Sequence, residues 1–204
     1  MSYSYYEVYT NSQRAFSRLG FPFGADEDAA YIIAWLELQQ LNGIELFCSI
    51  IDKLDNKYDS EINLIANEKK INLKNKSTLI TGPSIIDYVT SKFNINNTTE
   101  YSLINCHDPI FLIPLLNKLI KKRIYSKIIN HKETLYLINN NNIFIKKSIV
   151  KNILNNSIKI ILANKPYSSE ELDINIDLKN AEKNFSIGLN PDQKYWNKIS
   201  DLAF

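Results

Sequence analysis

The run Asn105-Cys106-His107-Asp108-Pro109 sets a thiol, an imidazole and a carboxylate side by side, the side chains of nucleophilic and acid–base chemistry. At a strand end, neighbouring side chains point to opposite faces, so Cys106 and His107 do not form a nucleophile–base pair. His107 is left as a lone acid or base. Asp108 is either a site residue at a helix start or simply the N-cap of that helix, with Pro109 at the first helical position. Glu45 is the further acid that could join this pair. A second candidate is Thr81-Gly82-Pro83-Ser84, read as a glycine turn opening a helix from Ser84, whose backbone N–H groups could face an anion. Gly82 and Ser84, with Trp35, make up the candidate ligand-binding set. His131 sits in a predicted turn, solvated. No histidine or cysteine spacing marks a metal site, and no nucleotide-binding glycine pattern, nucleophile elbow or zinc-protease motif occurs.

The elements that must position these groups fall in two stretches. Ser4 and Glu7 have capping-box spacing, which predicts a helix from Tyr5 to about Leu19 with Val8, Phe16 and Leu19 toward a core. Gly20 then sits where a left-handed cap is wanted. Asp26, Glu27 and Asp28 suit the first turn of a second helix over 25–41, where the macrodipole stabilises negative charge. Ile32, Ile33, Leu36 and Gln40 follow at helical spacing with Trp35 on a flank, so this arm reads as half of an amphipathic hairpin rather than as a nucleotide loop. A third helix is predicted over 44–54. Beyond residue 55 the period changes. The chain shows a weak alternation over 67–80 and a buried strand in EYSLINC, then a helix that Pro114 should kink or delay. RIYSKII, ETLYLIN and NIFIKKS read as a meander. A short helix in IVKNILNN, strands in SIKIILAN and LDINIDL, and a terminal helix capped by Asn190 with Pro191 at its first position complete the prediction.

The 204 residues are 45% hydrophobic and 23% charged, ordinary values for a globular chain able to bury a core. Twenty-four basic residues against 22 acidic leave +2, too little to argue for nucleic acid or an anionic membrane surface. Excess Ile, Asn, Lys and Tyr over Ala, Gly and Arg fits AT-rich codon usage, so Asn139–Lys147 is read as a turn region rather than a functional motif. Two cysteines at long spacing argue against a disulfide framework or a cysteine-rich zinc site. No basic-then-apolar leader opens the chain, and the longest apolar run is shorter than the roughly 20 residues of a membrane span. The expectation is a soluble, cytoplasmic protein.

The segment SYYEVYTNSQRAFSRLGFPFGADEDAAYIIAWLELQQLNG resembles the start of a proteobacterial domain-of-unknown-function family, three-seven-two-six in the usual numbering. GPSIIDYV, DPIFLIPLL and YWNKISDLA follow in the same order. Relatives are expected to continue past the position of Phe204. The same helical block is similar, more faintly, to the malate/L-lactate dehydrogenase family, NAD-dependent enzymes unrelated to Rossmann dehydrogenases. There a Gly-Ile-Asp-Ser-His-Gly type segment supplies a catalytic histidine. Here Gly43 and Ile44 match, Glu45 replaces the acid and Phe47 stands in the histidine's place, which implies that hydride transfer coupled to that group is lost.

The fold expected is α/β or α+β: an N-terminal helical hairpin or three-helix unit (1–55) packed on a mixed β-sheet (56–204), forming one continuous domain. The function expected is a small-molecule-binding or accessory subunit working with a metabolic enzyme. The alternative is a stand-alone lyase or hydrolase using His107, Asp108 and Glu45 in a cleft between helices and sheet. No cofactor, metal, nucleic-acid or membrane partner is expected. A small-molecule ligand or a protein partner is, and a homo-oligomer is compatible with the composition.

Overall fold

Ser4 opens the first helix, α1 (Tyr5–Arg18), by the predicted exchange. The Glu7 N–H donates to Ser4 Oγ at 3.1 Å, and the Ser4 N–H donates to the Glu7 carboxylate at 2.7 Å. Leu19 caps the other end and Gly20 turns the chain at φ +85°. The computed structural model describes residues 2–65, 69–131, 133–150, 157–168, 170–180 and 185–204. These divide into two compact units, Met1–Asp59 with Lys179–Phe204, and Ser60–Leu178. The helical unit thus takes its last helix from the far end of the chain, residues that the sequence reading grouped with 56–204.

In the helical unit, α2 (Ala25–Leu38) has all three acids in its first turn. Asp26 accepts N–H bonds from Gly24 at 3.0 Å and Glu27 at 2.9 Å, where the helix dipole favours its charge. The predicted amphipathic pattern is corrected here. Ala29, Ala30 and every residue from Ile32 to Leu38 are buried, Trp35 included, so α2 is a central helix without a solvent stripe. It also stops at Leu38 rather than near residue 41, because Gln40 and Asn42 take left-handed backbone, φ +59° and +54°. α3 (Gly43–Leu54) follows. A Cβ on Gly43 would stand 2.3 Å from the Ile33 carbonyl oxygen, so only glycine lets α3 start this close to α2.

The sheet unit holds eight strands among the described residues: β1 (Asn63–Ile65), β2 (Lys70–Asn72), β3 (Thr99–Ile104), β4 (Tyr125–Asn130), β5 (Glu133–Ile138), β6 (Asn142–Ile145), β7 (Ser157–Ala163) and β8 (Ile174–Asp177). Their order is β1-β2-β3-β7-β4-β5-β6-β8. Among the described strands, β2 and β3 are the one pair that runs parallel, and α4 (Thr78–Ser91) makes the crossover that a parallel pair needs. The predicted meander is present as β4-β5-β6. β7 returns to fill the place between β3 and β4.

Four further expectations meet the structure here. Pro114 delays its helix: a tight turn at Pro109–Phe111 precedes α5 (Leu112–Lys118), and Pro114 falls in its first turn, where a missing donor costs nothing. The helix predicted from Ser84 begins instead at Thr78, because Ser77 accepts the Leu79 N–H on its hydroxyl at 3.2 Å. Of the helix predicted in IVKNILNN, α6 (Lys147–Val150) is present, and residues 151–156 lie outside the described residues. The terminal helix, α7 (Gln193–Ala203), is capped by Asp192 rather than Asn190, since the Asp192 carboxylate receives the Lys194 N–H at 2.9 Å. The molecule is a mixed α/β protein as expected, and no helix among the described residues is long and apolar enough to cross a membrane.

Candidate functional site

Two turns run side by side at the carboxyl ends of β2 and β3, where open α/β sheets commonly hold ligands. The ladder continues past the strands: Leu73 donates to Ile104 at 3.0 Å, and Asn75 to Asn105 at 3.2 Å. Asn72 Oδ1 then ties the turns together, receiving the Lys74 N–H and the Asn105 side-chain amide, both at 2.9 Å. Farther along, the Thr78 N–H donates to the His107 carbonyl at 3.2 Å and its hydroxyl to the Asp108 carbonyl. Lys74, Asn75, Asn105 and Asp108 all have φ between +50° and +63°. Left-handed backbone is uncommon for non-glycine residues and persists only where the surroundings enforce it.

His107 and Asp108 are therefore held beside the N-terminus of α4. His107 is half-buried and Asp108 is buried. Asp108 does precede a helical turn with Pro109 at its first position, but its side chain makes no capping bond. The predicted capping role is corrected: in left-handed backbone the carboxylate does not reach the N–H groups that follow. Cys106 is sealed in the core, and burial first, then the nearby Asp108 charge, pushes its thiol far up. It supplies no thiolate at neutral pH.

Gly82 and Ser84 do not form a turn. Both lie inside α4, and Gly82 is buried where a Cβ would meet Leu115 Cδ1 at 3.0 Å and Leu112 Cδ2 at 3.5 Å. The glycine allows α4 and α5 to approach; it presents no helix N-terminus to an anion. Trp35 is 6% exposed within α2.

Glu45 belongs to the helical unit, exposed in the first turn of α3, where it accepts from the Asn42 amide at 3.0 Å. Its charge is the largest of the influences that raise the Tyr195 phenol. Around it stand two groups that sequence reasoning missed. Glu37 is buried at the end of α2 and receives the Ile44 N–H at 3.0 Å, so its carboxylate caps α3 from the preceding helix. Burial raises its pKa, the Ile44 bond opposes the rise, and Glu45 adds to it. Cys48, one turn into α3, has its thiol pushed up to about 11 by burial, with Lys198 pulling the other way. Phe47 is fully buried and stacks on Phe16 with ring centres 4.1 Å apart.

A second feature missed from sequence is a cleft of about 520 Å³ in the sheet unit, lined by Lys69, Tyr88, Lys92, Thr99 and Tyr101 among others. Its residues are scattered along 69–101, and only the β2–α4–β3 crossover gathers them. The signal available was the spacing within each element, Tyr88 with Lys92 and Thr99 with Tyr101. Among the described residues, no three His, Cys, Asp or Glu side chains gather in a way that could hold a metal ion.

Residues 3–77 match the model of a family described as "Protein of unknown function (DUF3726)". No curated protein matches the chain. Among solved structures, a dehydrogenase from Sinorhizobium meliloti is similar with TM-score 0.71 at 10% identity, covering 100% of this chain and 99% of that one. A sulfolactate dehydrogenase from Methanocaldococcus jannaschii is similar with TM-score 0.64 at 10% identity, covering 99% and 96%. A malate dehydrogenase from Pyrococcus horikoshii gives TM-score 0.64 at 9% identity, covering 100% and 94%. At these identities the likeness is one of fold, and it agrees with the dehydrogenase resemblance of the N-terminal block.

Proposed function

We propose that this chain is a small-molecule-binding or accessory subunit that works beside a metabolic enzyme, built on a dehydrogenase-like fold and carrying out no hydride transfer of its own. Phe47 carries the reading. It stands where the dehydrogenase resemblance calls for a histidine, and it is buried and stacked on Phe16. Oxidising a hydroxyl by hydride transfer also requires its proton to be taken up, and a phenyl ring in a closed core has no group for that. The neighbouring Cys48 thiol, raised to about 11, is protonated at neutral pH and is no substitute base. The test is nicotinamide reduction by the purified chain with malate, lactate and sulfolactate. Absorbance should rise no faster than in the protein-free blank, and turnover with any of the three would overturn the reading.

A second reading is a lyase or hydrolase centred on His107 and Asp108, with Glu45 as a further acid. The left-handed backbone of buried Asp108 favours it, because such conformations gather at functional sites. Glu45 lies in the other compact unit, so His107 and Asp108 bear most of its weight. His107→Ala separates the two readings: loss of an activity with an unchanged melting temperature supports the enzyme.

A further inference from the structure

The cleft at the amino ends of β2 and β3 is assembled by two different periodicities. On α4, Tyr88 and Lys92 are four residues apart and share a helix face. On β3, Thr99 and Tyr101 alternate onto one sheet face, and Lys69 enters from just before β2. Continuing along β3, the next residue on that face is Leu103, wholly buried. The face therefore grades from polar at the cleft to apolar in the core. Tyr101 is only 3% exposed, and its ring meets that of Tyr88 edge-on at 6.1 Å and 74°. The two rings make a fixed apolar wall with hydroxyl tips.

No carboxylate lines the cleft among the described residues, and the charged side chains are Lys69 and Lys92, which only donate. Lys92 also stands at the C-terminal end of α4, where a cation complements the helix dipole. That account does not extend to Lys69, which comes from another segment. A volume of about 520 Å³ lies within the range of small-molecule sites.

We infer that this cleft binds a small organic dianion, a phosphate ester or a dicarboxylate, with Lys69 and Lys92 on the charged groups and the Tyr88–Tyr101 wall against the carbon body. The inference rests on the binding reading above and gives it a site and a ligand class. Phosphate esters and dicarboxylates present the same chemistry to two ammonium groups, so the experiment carries an arm for each.

The full chain is titrated calorimetrically, at low ionic strength, with glycerol phosphate, succinate and inorganic phosphate. Saturable binding of glycerol phosphate or succinate is expected, tighter than that of inorganic phosphate, which has no carbon body. Lys69→Gln and Lys92→Gln should each weaken it about tenfold, the loss of one charge-assisted hydrogen bond. Lys159→Gln removes the same charge from the opposite face of the sheet, where Lys159 is registered with Ser102 and paired with Glu100, and should leave binding unchanged. Preference for glycerol phosphate or for succinate identifies the ligand class. Binding that Lys69→Gln and Lys92→Gln leave unaltered overturns the cleft while the binding reading stands. Absence of binding by all three anions overturns this inference alone if nicotinamide reduction is also absent, and both readings if it is present.

Discussion

Phe47 and Glu37 are the residues on which single-side-chain chemistry turns. Phe47 is fully buried against Phe16, so Phe47→Ala removes both its transfer from water and a stacked partner. Unfolding in urea should show a loss of about 3–5 kcal/mol, the range for large-to-small changes at a packed aromatic. A loss below about 1 kcal/mol would mean that the site is not packed as described. Glu37 makes a prediction in pH. Its carboxyl is raised above the usual 4.5, chiefly by burial, so the folded state holds this proton more tightly than the unfolded chain. The stability it contributes is fully present below the unfolded value and is lost as pH rises through the raised folded value. Glu37→Gln keeps an oxygen for the Ile44 N–H and has no charge to desolvate. Urea midpoints should therefore move in the variant's favour as pH rises from the unfolded value through the raised folded one, and parallel curves would sink the assignment.

At the scale of elements, two glycines that look alike in sequence do different work. Gly43 begins α3 with its Cα against the backbone of α2, where a Cβ would lie 2.3 Å from the Ile33 oxygen and 2.9 Å from the Glu37 nitrogen. Backbone atoms of a packed helix cannot step aside, so Gly43→Ala should cost about 3 kcal/mol, at the upper end for overpacking. A Cβ at Gly82 would meet only side-chain ends, Leu115 Cδ1 at 3.0 Å and Leu112 Cδ2 at 3.5 Å, which can give more readily than backbone. There alanine gains about 1 kcal/mol in helix propensity, which offsets the crowding. Gly82→Ala should fall within about 1 kcal/mol of the parent in the same urea titration, and a wide gap between the two variants is the expected result. Helix starts show the same division. Ser4 was legible because its partner Glu7 stands three residues on, whereas Ser77 was missed because Gly82-Pro83 looked like the stronger punctuation. A proline in the second turn is tolerated once the N-cap and the helix packing are in place.

At the scale of the whole molecule, Ser60–Leu178 is one uninterrupted stretch that contains every described strand and its pairing partners. A unit with its own core and sheet is expected to fold alone. Expressed as residues 60–178, it should show a sheet-type circular dichroism spectrum and one cooperative thermal transition. A disordered product would mean that its stability depends on the remainder of the chain. The helical unit has no such contiguous form, since it combines 1–59 with 179–204.

What the sequence determined by itself was local. The capping box at Ser4, the left-handed cap at Gly20, the acids opening α2, the β4-β5-β6 meander and the delay at Pro114 all rest on interactions within a few residues. Histidine, aspartate and their neighbours at 105–109 were legible as a cluster for the same reason. Tertiary structure alone decided that α2 is buried on nearly every side and that β7 lies between β3 and β4. It also decided that Glu37 caps the helix after its own, and that Lys69, Tyr88, Lys92 and Tyr101 line one cleft. Burial and long-range pairing depend on which surfaces meet, and that follows from the free energy of the folded whole rather than from any window of neighbours.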